Sequence, residues 1–271
     1  MNLLAAVQEG NNFLIVYMLT KRQGEILKTI IQEYTQTATP VSSSLLKEKY
    51  QLDYSSATIR NDMLKLEEEG FLVKPHISAG RIPSDKGYRY FIDNLMRERD
   101  LSPGYQKKLE LEILKLKARN ARMERTTAKL LSSMSQCLAI SGLIDKREYY
   151  DFGIHNLLET PELSNMDDLS KLTMALDLID ENVDKILEKI KGDETEIFVG
   201  KENPLKEIQN CSMVVSPYRL KSGERGLVAV IGPKRMKYDR NKGLVNFIKK
   251  ILGTETFALA VIFSGSGWYI I

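Results

Sequence analysis

The chain is poor in the residues that build metal and redox chemistry. Among 271 residues it has two cysteines and two histidines. Cys137 and Cys211 lie far apart, with no CxxC spacing and no Cys/His cluster, and the histidines are His76 and His155. A zinc site is excluded on this pattern, no cofactor is expected, and a reduced, cytoplasmic setting fits. Long apolar runs are also missing. Phe13–Leu19 and Phe257–Phe263 are each about seven residues, against the roughly 20 a spanning helix needs. The N-terminus has no basic segment of the secretory kind. Nor does one sign of charge dominate: 39 basic against 36 acidic residues leave a formal net charge of +3. A nucleic-acid partner must therefore show in the distribution of charge, not its sum.

Nucleophile and phosphate motifs are absent too. There is no GxSxG. Gly232-Pro233-Lys234-Arg235 lacks the GxxxxGK[ST] or GxGxxG frame and reads as a strand-ending turn. Paired carboxylates such as Asp167-Asp168 and Asp180-Glu181 fall in helical charge runs and read as solvated. Nothing points to an active site, so the chain is not expected to be an enzyme.

What is present is a series of helix caps, apolar faces and tight turns in a definite order. Thr20 with Gln23 three residues on has capping-box spacing, and Ile26, Leu27, Ile30, Ile31 and Tyr34 make one apolar face of a first helix. Thr39 to Ser42 turns into a second helix, Ser43 to Tyr50, with Leu45 and Leu46 inward. Ser55 caps a third helix that Gly70 ends. On it Ile59, Met63 and Leu66 point inward, while Ser56, Thr58, Arg60, Asn61 and Lys65 project away. These polar types near a helix N-terminus reach base edges and phosphates; a solvated helix face is the alternative. Phe71–Pro75 and Arg81–Pro83 read as two short strands joined by Ser78-Ala79-Gly80. That is a wing, with Arg81 and His76 placed for the minor groove or backbone. The order is that of a winged helix-turn-helix.

Residues 1–17 look unlike the rest of the chain. Met18 precedes the first helix directly and is a candidate initiator; a genuine extension is the alternative. From Tyr105 to Gln136 the chain has no proline or glycine and reads as one long helix. Eight basic residues (Lys107, Lys108, Lys115, Lys117, Arg119, Arg122, Arg125, Lys129) face three acidic ones. Leu109, Ile113, Leu116, Asn120, Met123, Thr127, Leu130, Met134 and Cys137 recur by four and three, as in a heptad seam, with Asn120 able to fix register. This is a candidate dimer helix; a helix packed on its own domain reads equally well. Cys137 to Tyr150 reads as a boundary. Beyond it, 151–160 and Met166–Ile190 are helical, with Leu169, Leu172, Leu176, Ile179, Val183 and Ile186 inward. Ile197–Val199, Ser212–Pro217 and Leu227–Ile231 are strand-like, and Asp239–Leu252 closes as a helix. The second domain is therefore α+β.

SSATIRNDM, LEEEGFL and KPHISAGRIPSDKGYRYFID, followed by NLLETPEL, KENPLKEIQNCSMVVSPY and GLVAVIGPKRMKYDR, resemble the heat-inducible transcription repressor family, HrcA. The likeness covers 18–97 almost without gaps, then about 153–252. It implies a winged-helix repressor that binds, as a dimer, an inverted repeat in double-stranded DNA upstream of chaperone operons, with the GroE chaperonin as modulator. It also implies a GAF-like second domain. By motif position it carries DNA contacts to Ser56, Thr58, Arg60 and Asn61, to His76, Ser78, Gly80 and Arg81 of the wing, and to Lys86, Tyr88 and Arg89 after it. The family usually has a longer middle, so the GAF-like domain is expected to be shortened. The expected plan is then an extension at 1–17, a winged helix at 18–97, and a basic helical linker and candidate dimer helix at 98–150. The shortened domain occupies 151–253, and an apolar tail at 254–271 is available as an extra strand or an exposed segment. A ligand-sensing regulator and a chaperonin-interacting protein with weak DNA binding are the rival readings.

Overall fold

The computed structural model describes residues 4–9, 12–76, 79–118, 123–163, 166–177, 179–253, 261–264 and 267–270. The chain divides into two compact units, Met1–Arg97 and Glu98–Ile271.

The first unit opens with a hairpin of β1 (Leu4–Glu9) and β2 (Asn12–Tyr17), paired from Leu4↔Tyr17 to Glu9↔Asn12. Helix α1 (Lys21–Thr37) starts at Thr20, whose side chain accepts from the Gln23 amide while the Gln23 side chain accepts from the Thr20 amide. This reciprocal box satisfies two orphan donors of the first turn. Ile26, Leu27 and Ile30 of α1 are fully buried. Helix α2 (Ser43–Tyr50) is capped by Ser42, and α3 (Ser56–Glu68) by Ser55. Ile59, Met63 and Leu66 of α3 have no exposed surface, which fixes the inward face of that helix. Burying such a side chain stabilises by about 1.5–3 kcal/mol. Gly70, at φ +80°, lets the chain leave α3 in a left-handed conformation that a side chain would strain. The strands after it are shorter than the sequence suggests: β3 is Leu72–Val73 and β4 is Ile82–Pro83. Helix α4 (Asp85–Tyr90), capped by Ser84, runs into a π-helical turn at Phe91–Leu95.

The second unit holds two corrections. The expected single helix over 105–136 is two, α5 (Pro103–Ala118) and α6 (Met123–Ser135). Some of their Cα atoms approach within 8 Å. On a straight helix, residues five or more positions apart lie beyond roughly 8.6 Å, so the axis does not run straight through. The residues expected to form a boundary, 137–150, instead supply two strands, β5 (Leu138–Leu143) and β6 (Glu148–Phe152). They complete a five-stranded antiparallel sheet with β7 (Glu196–Val199), β8 (Cys211–Arg219) and β9 (Arg225–Pro233), in the order β6-β5-β9-β8-β7. The sheet thus has two strands more than the three that the sequence pattern suggests.

Between β6 and β7 lie α7 (Ile154–Leu158), α8 (Met166–Asp177) and α9 (Ile179–Leu187). Helices α8 and α9 fall within the expected helix 166–190, and residue 178 between them lies outside the described residues. Helix α10 (Tyr238–Gly253) follows β9. Leu138, Ile140, Met213, Val215, Ala229 and Ile231 of the sheet form one core with Leu157, Leu172, Val183 and Ile186 of α7–α9. Helices α6 and α10 pack against the same strands. Covered on both sides, β5, β8 and β9 are buried almost throughout. Among the described residues of the tail, β10 (Val261–Ser264) and β11 (Gly267–Ile270) pair with each other in a two-stranded sheet.

Candidate nucleic-acid interface

Helix α3 has one face in the core and one in solvent. Ser56, Ala57, Arg60, Asn61, Leu64 and Lys65 are exposed, at i, i+1, i+4, i+5, i+8 and i+9, which a 3.6-residue repeat places on one side. Four of the five sequence-predicted helix contacts, Ser56, Arg60, Asn61 and Lys65, therefore lie together. The fifth, Thr58, is half-buried. Its amide donates to Ser55 Oγ at 3.1 Å and its hydroxyl lies 2.9 Å from the same oxygen, so it belongs to the helix cap. Ala57 and Leu64 share that exposed face, which the sequence reading does not assign to them. The available signal is that Leu64 falls off the 59-63-66 stripe yet is as apolar as its members.

Helix α3 is tied to α1 from behind. Asp62, buried on its inner side, accepts from Arg22 Nε at 2.5 Å and from Nη2 at 3.3 Å, a forked pair with the first turn of α1. Asp62 raises the pKa of the Arg22 guanidinium further, by hydrogen bond and by charge.

The wing divides into exposed and structural residues. Val73, Lys74, Pro75 and His76 are exposed at the end of β3. Ser78 lies outside the described residues. Arg81 turns inward: its side chain is 13% exposed, and Nε donates to Glu67 Oε2 at 2.8 Å. Its backbone pairs with Val41 in both directions. Gly80 allows that approach, since a Cβ there would meet the Val41 carbonyl oxygen at 2.4 Å. The three residues expected after the wing are likewise engaged within the fold. Lys86 Nζ donates to the Glu69 carbonyl at 2.7 Å and lies 4.4 Å from the Phe71 ring centre, closing the end of α3. Tyr88 is 1% exposed and part of the core. Arg89 pairs with Asp93 at 3.2 Å. Thr58, Gly80, Arg81, Lys86, Tyr88 and Arg89 thus build the reader, while the exposed residues of α3 and of the end of β3 face outward.

The candidate dimer seam is partly consumed by folding. Leu109 and Ile113 are each 1% exposed in the single chain. Helix α6 turns Thr127, Ala128, Leu131 and Ser132 inward and packs on β5 and β6. Met123, Leu130 and Met134 are half-buried. Leu116 lies on α5, and Asn120, Arg119 and Arg122 fall outside the described residues. A four-three spacing serves a helix packed on its own domain as well as it serves a coiled coil, and here Leu109, Ile113 and Thr127 are buried within the single chain.

Among the described residues no group of three or more His, Cys, Asp or Glu is placed to hold a metal ion, and no helix is long and apolar enough to cross a membrane. Burial pushes the Cys137 thiol up to about 11, so it is a neutral packing group at neutral pH.

A winged helix-turn-helix with one polar, solvent-facing recognition helix, followed by an α+β domain, defines a DNA-binding transcription regulator. Residues 22–84 match the DeoR-like helix-turn-helix domain, and residues 89–241 match the HrcA protein C-terminal domain. The second match covers more than half of the chain, which belongs to the HrcA family, the heat-inducible transcription repressors. A heat-inducible transcription repressor HrcA from Natranaerobius thermophilus is 28% identical over 341 aligned positions, covering 89% of this chain and 97% of the relative. That length exceeds the 271 residues here, so the relative carries segments without a counterpart. HrcA of Chloroflexus aurantiacus is 58% identical over 89 residues, which are 33% of this chain and 24% of that protein. A crystal structure described as a hypothetical protein shares the fold at a TM-score of 0.66 and 22% identity, covering 86% of this chain and 96% of that one.

Proposed function

We propose that this heat-inducible repressor acts in the cytoplasm by binding, as a homodimer, an inverted-repeat operator in double-stranded DNA, and that the GroE chaperonin modulates it. DNA binding is assigned to residues 18–97, and the remainder to assembly and regulation. The observation that carries the reading is the outward face of α3, where Ser56, Arg60, Asn61 and Lys65 stand together on a helix of major-groove dimensions. A twofold dimer would set two such helices roughly 34 Å apart, in successive grooves. A protein seated there blocks polymerase sterically. Cationic contacts to phosphate supply affinity that falls steeply with salt. Met123, Leu130 and Met134 keep part of their surface open and are the part of the seam offered to a second copy.

Gel-shift binding to a chaperone-operon inverted repeat and to scrambled DNA, at about 0.15 M salt, with and without chaperonin, tests the reading. Selective binding that chaperonin strengthens is expected. Equal weak binding to both DNAs, with chaperonin present, would overturn it. For the dimer, Met123→Lys with Leu130→Lys should give monomers in sedimentation; an unchanged dimer places the interface elsewhere.

A further inference from the structure

An α-helix advances 100° per residue, which sorts the outward residues of α3 into three lines. Ser56 and Arg60 run along one side, and Asn61 and Lys65 along the other. Ala57 and Leu64, seven residues apart, lie between them. Leu64 is 46% exposed, while its neighbours Met63 and Leu66 are wholly buried. A single exposed leucine on a protein surface is ordinary. This one stands at the centre of a face whose flanks are built for hydrogen bonds, where a polar side chain would be the ordinary occupant. In the major groove, base edges offer donors and acceptors and a single apolar group, the 5-methyl of thymine.

We infer that Leu64, with Ala57 two turns earlier, reads thymine methyl groups, so that part of operator selectivity is carried by apolar contact between the hydrogen-bonding flanks. The inference rests on the DNA-binding reading above.

Replacing thymine by deoxyuracil removes the methyl and leaves every hydrogen-bonding group in place. The full chain is first used to enrich sites from a random duplex pool. Thymines of one half-site are then replaced singly, and binding is measured for the unaltered protein, Leu64→Ala, Leu64→Met and Arg60→Ala. The unaltered protein should lose about fourfold in affinity at one or two positions. Leu64→Ala should bind the thymine site more weakly and no longer distinguish uracil from thymine at one of those positions. Leu64→Met and Arg60→Ala should keep the distinction. Leu64→Met also guards against a folding defect, and the melting temperature of each variant is checked alongside. Indifference of the unaltered protein to every methyl, or full sensitivity retained in Leu64→Ala, overturns the inference and leaves the repressor reading standing. Failure to enrich any inverted repeat overturns both.

Discussion

Arg81 donates to Glu67 at 2.8 Å, joining the wing to the last turn of the recognition helix. A basic residue that reads as a DNA contact in the sequence is, in the fold, a brace. Its guanidinium holds α3, and its backbone holds the turn at Val41 before α2.

Arg81→Ala is therefore expected to act through stability. Loss of a largely buried charge-assisted bond should destabilise the first unit by about 1–2 kcal/mol. For a domain of this size, each kcal/mol lowers the melting temperature by about 4–8 °C. Glu67→Gln should behave similarly. Both variants should weaken binding to operator and scrambled DNA by the same factor. An unchanged melting temperature with selective loss of operator binding would mean that Arg81 leaves Glu67 for DNA.

Arg60 and Lys65 face outward on opposite flanks of α3 and should separate by kind of contact. If Arg60 reads guanine, Arg60→Ala should relax operator preference by about 1–3 kcal/mol. Lys65→Ala should weaken all sequences alike and reduce the salt slope by about one. Competition binding across a salt series measures both; equal loss on every DNA would make Arg60 a phosphate contact.

Glu33 introduces a pH dependence. It is 3% exposed, and its carboxylate accepts from Lys49 Nζ and the Tyr50 hydroxyl, both at 2.6 Å. The Lys49 bond first and the Tyr50 bond second hold its pKa below the ordinary 4.5. Tyr50 is pushed up to about 12 by burial and by Glu33, and stays neutral. A carboxylate with a lowered folded pKa stabilises fully above its ordinary value and loses that contribution as pH falls through the folded one. Glu33→Gln should therefore be less stable by about 1 kcal/mol at pH 7 and converge on the unaltered protein below pH 4.5. A gap that stays constant in melts from pH 7 to 3 would assign the effect to shape, not charge.

The place of β5 in the sheet has a direct consequence. Ile140 is 1% exposed in the core between sheet and α7–α9, and β5 bonds to both β6 and β9. Ile140→Ala should destabilise the second unit by about 2–5 kcal/mol. A fragment beginning at Asp151 lacks β5 and bares the edge of β9, so it should fail to give a cooperative thermal transition. A sharp transition in that fragment would make β5 dispensable.

Local signals are legible wherever the reason for a conformation lies within a few residues. Thr20, Ser42 and Ser55 each carry a side chain that can accept from an amide three positions on, and each begins a helix. Ile59, Met63 and Leu66 recur with the helical period and are buried. Leu138–Leu143 is illegible for the opposite reason. A strand covered on both faces shows no alternation, and its partner β9 lies far along the chain, in the register Leu138↔Ile231. The heptad-like seam fits two environments equally, and only tertiary packing, which buries Leu109, Ile113 and Thr127 within the single chain, distinguishes them.

By itself, the sequence determined the helix starts and ends of the DNA reader, the inward face of α3 and the α+β character of the second domain, because caps, turns and hydrophobic periods act over one or two turns. Only the tertiary structure decided which of the polar residues face solvent and which are engaged within the fold. Arg60 and Arg81 are the same residue type in neighbouring motifs, and whether a guanidinium meets a carboxylate or solvent depends on what another segment of the chain brings beside it.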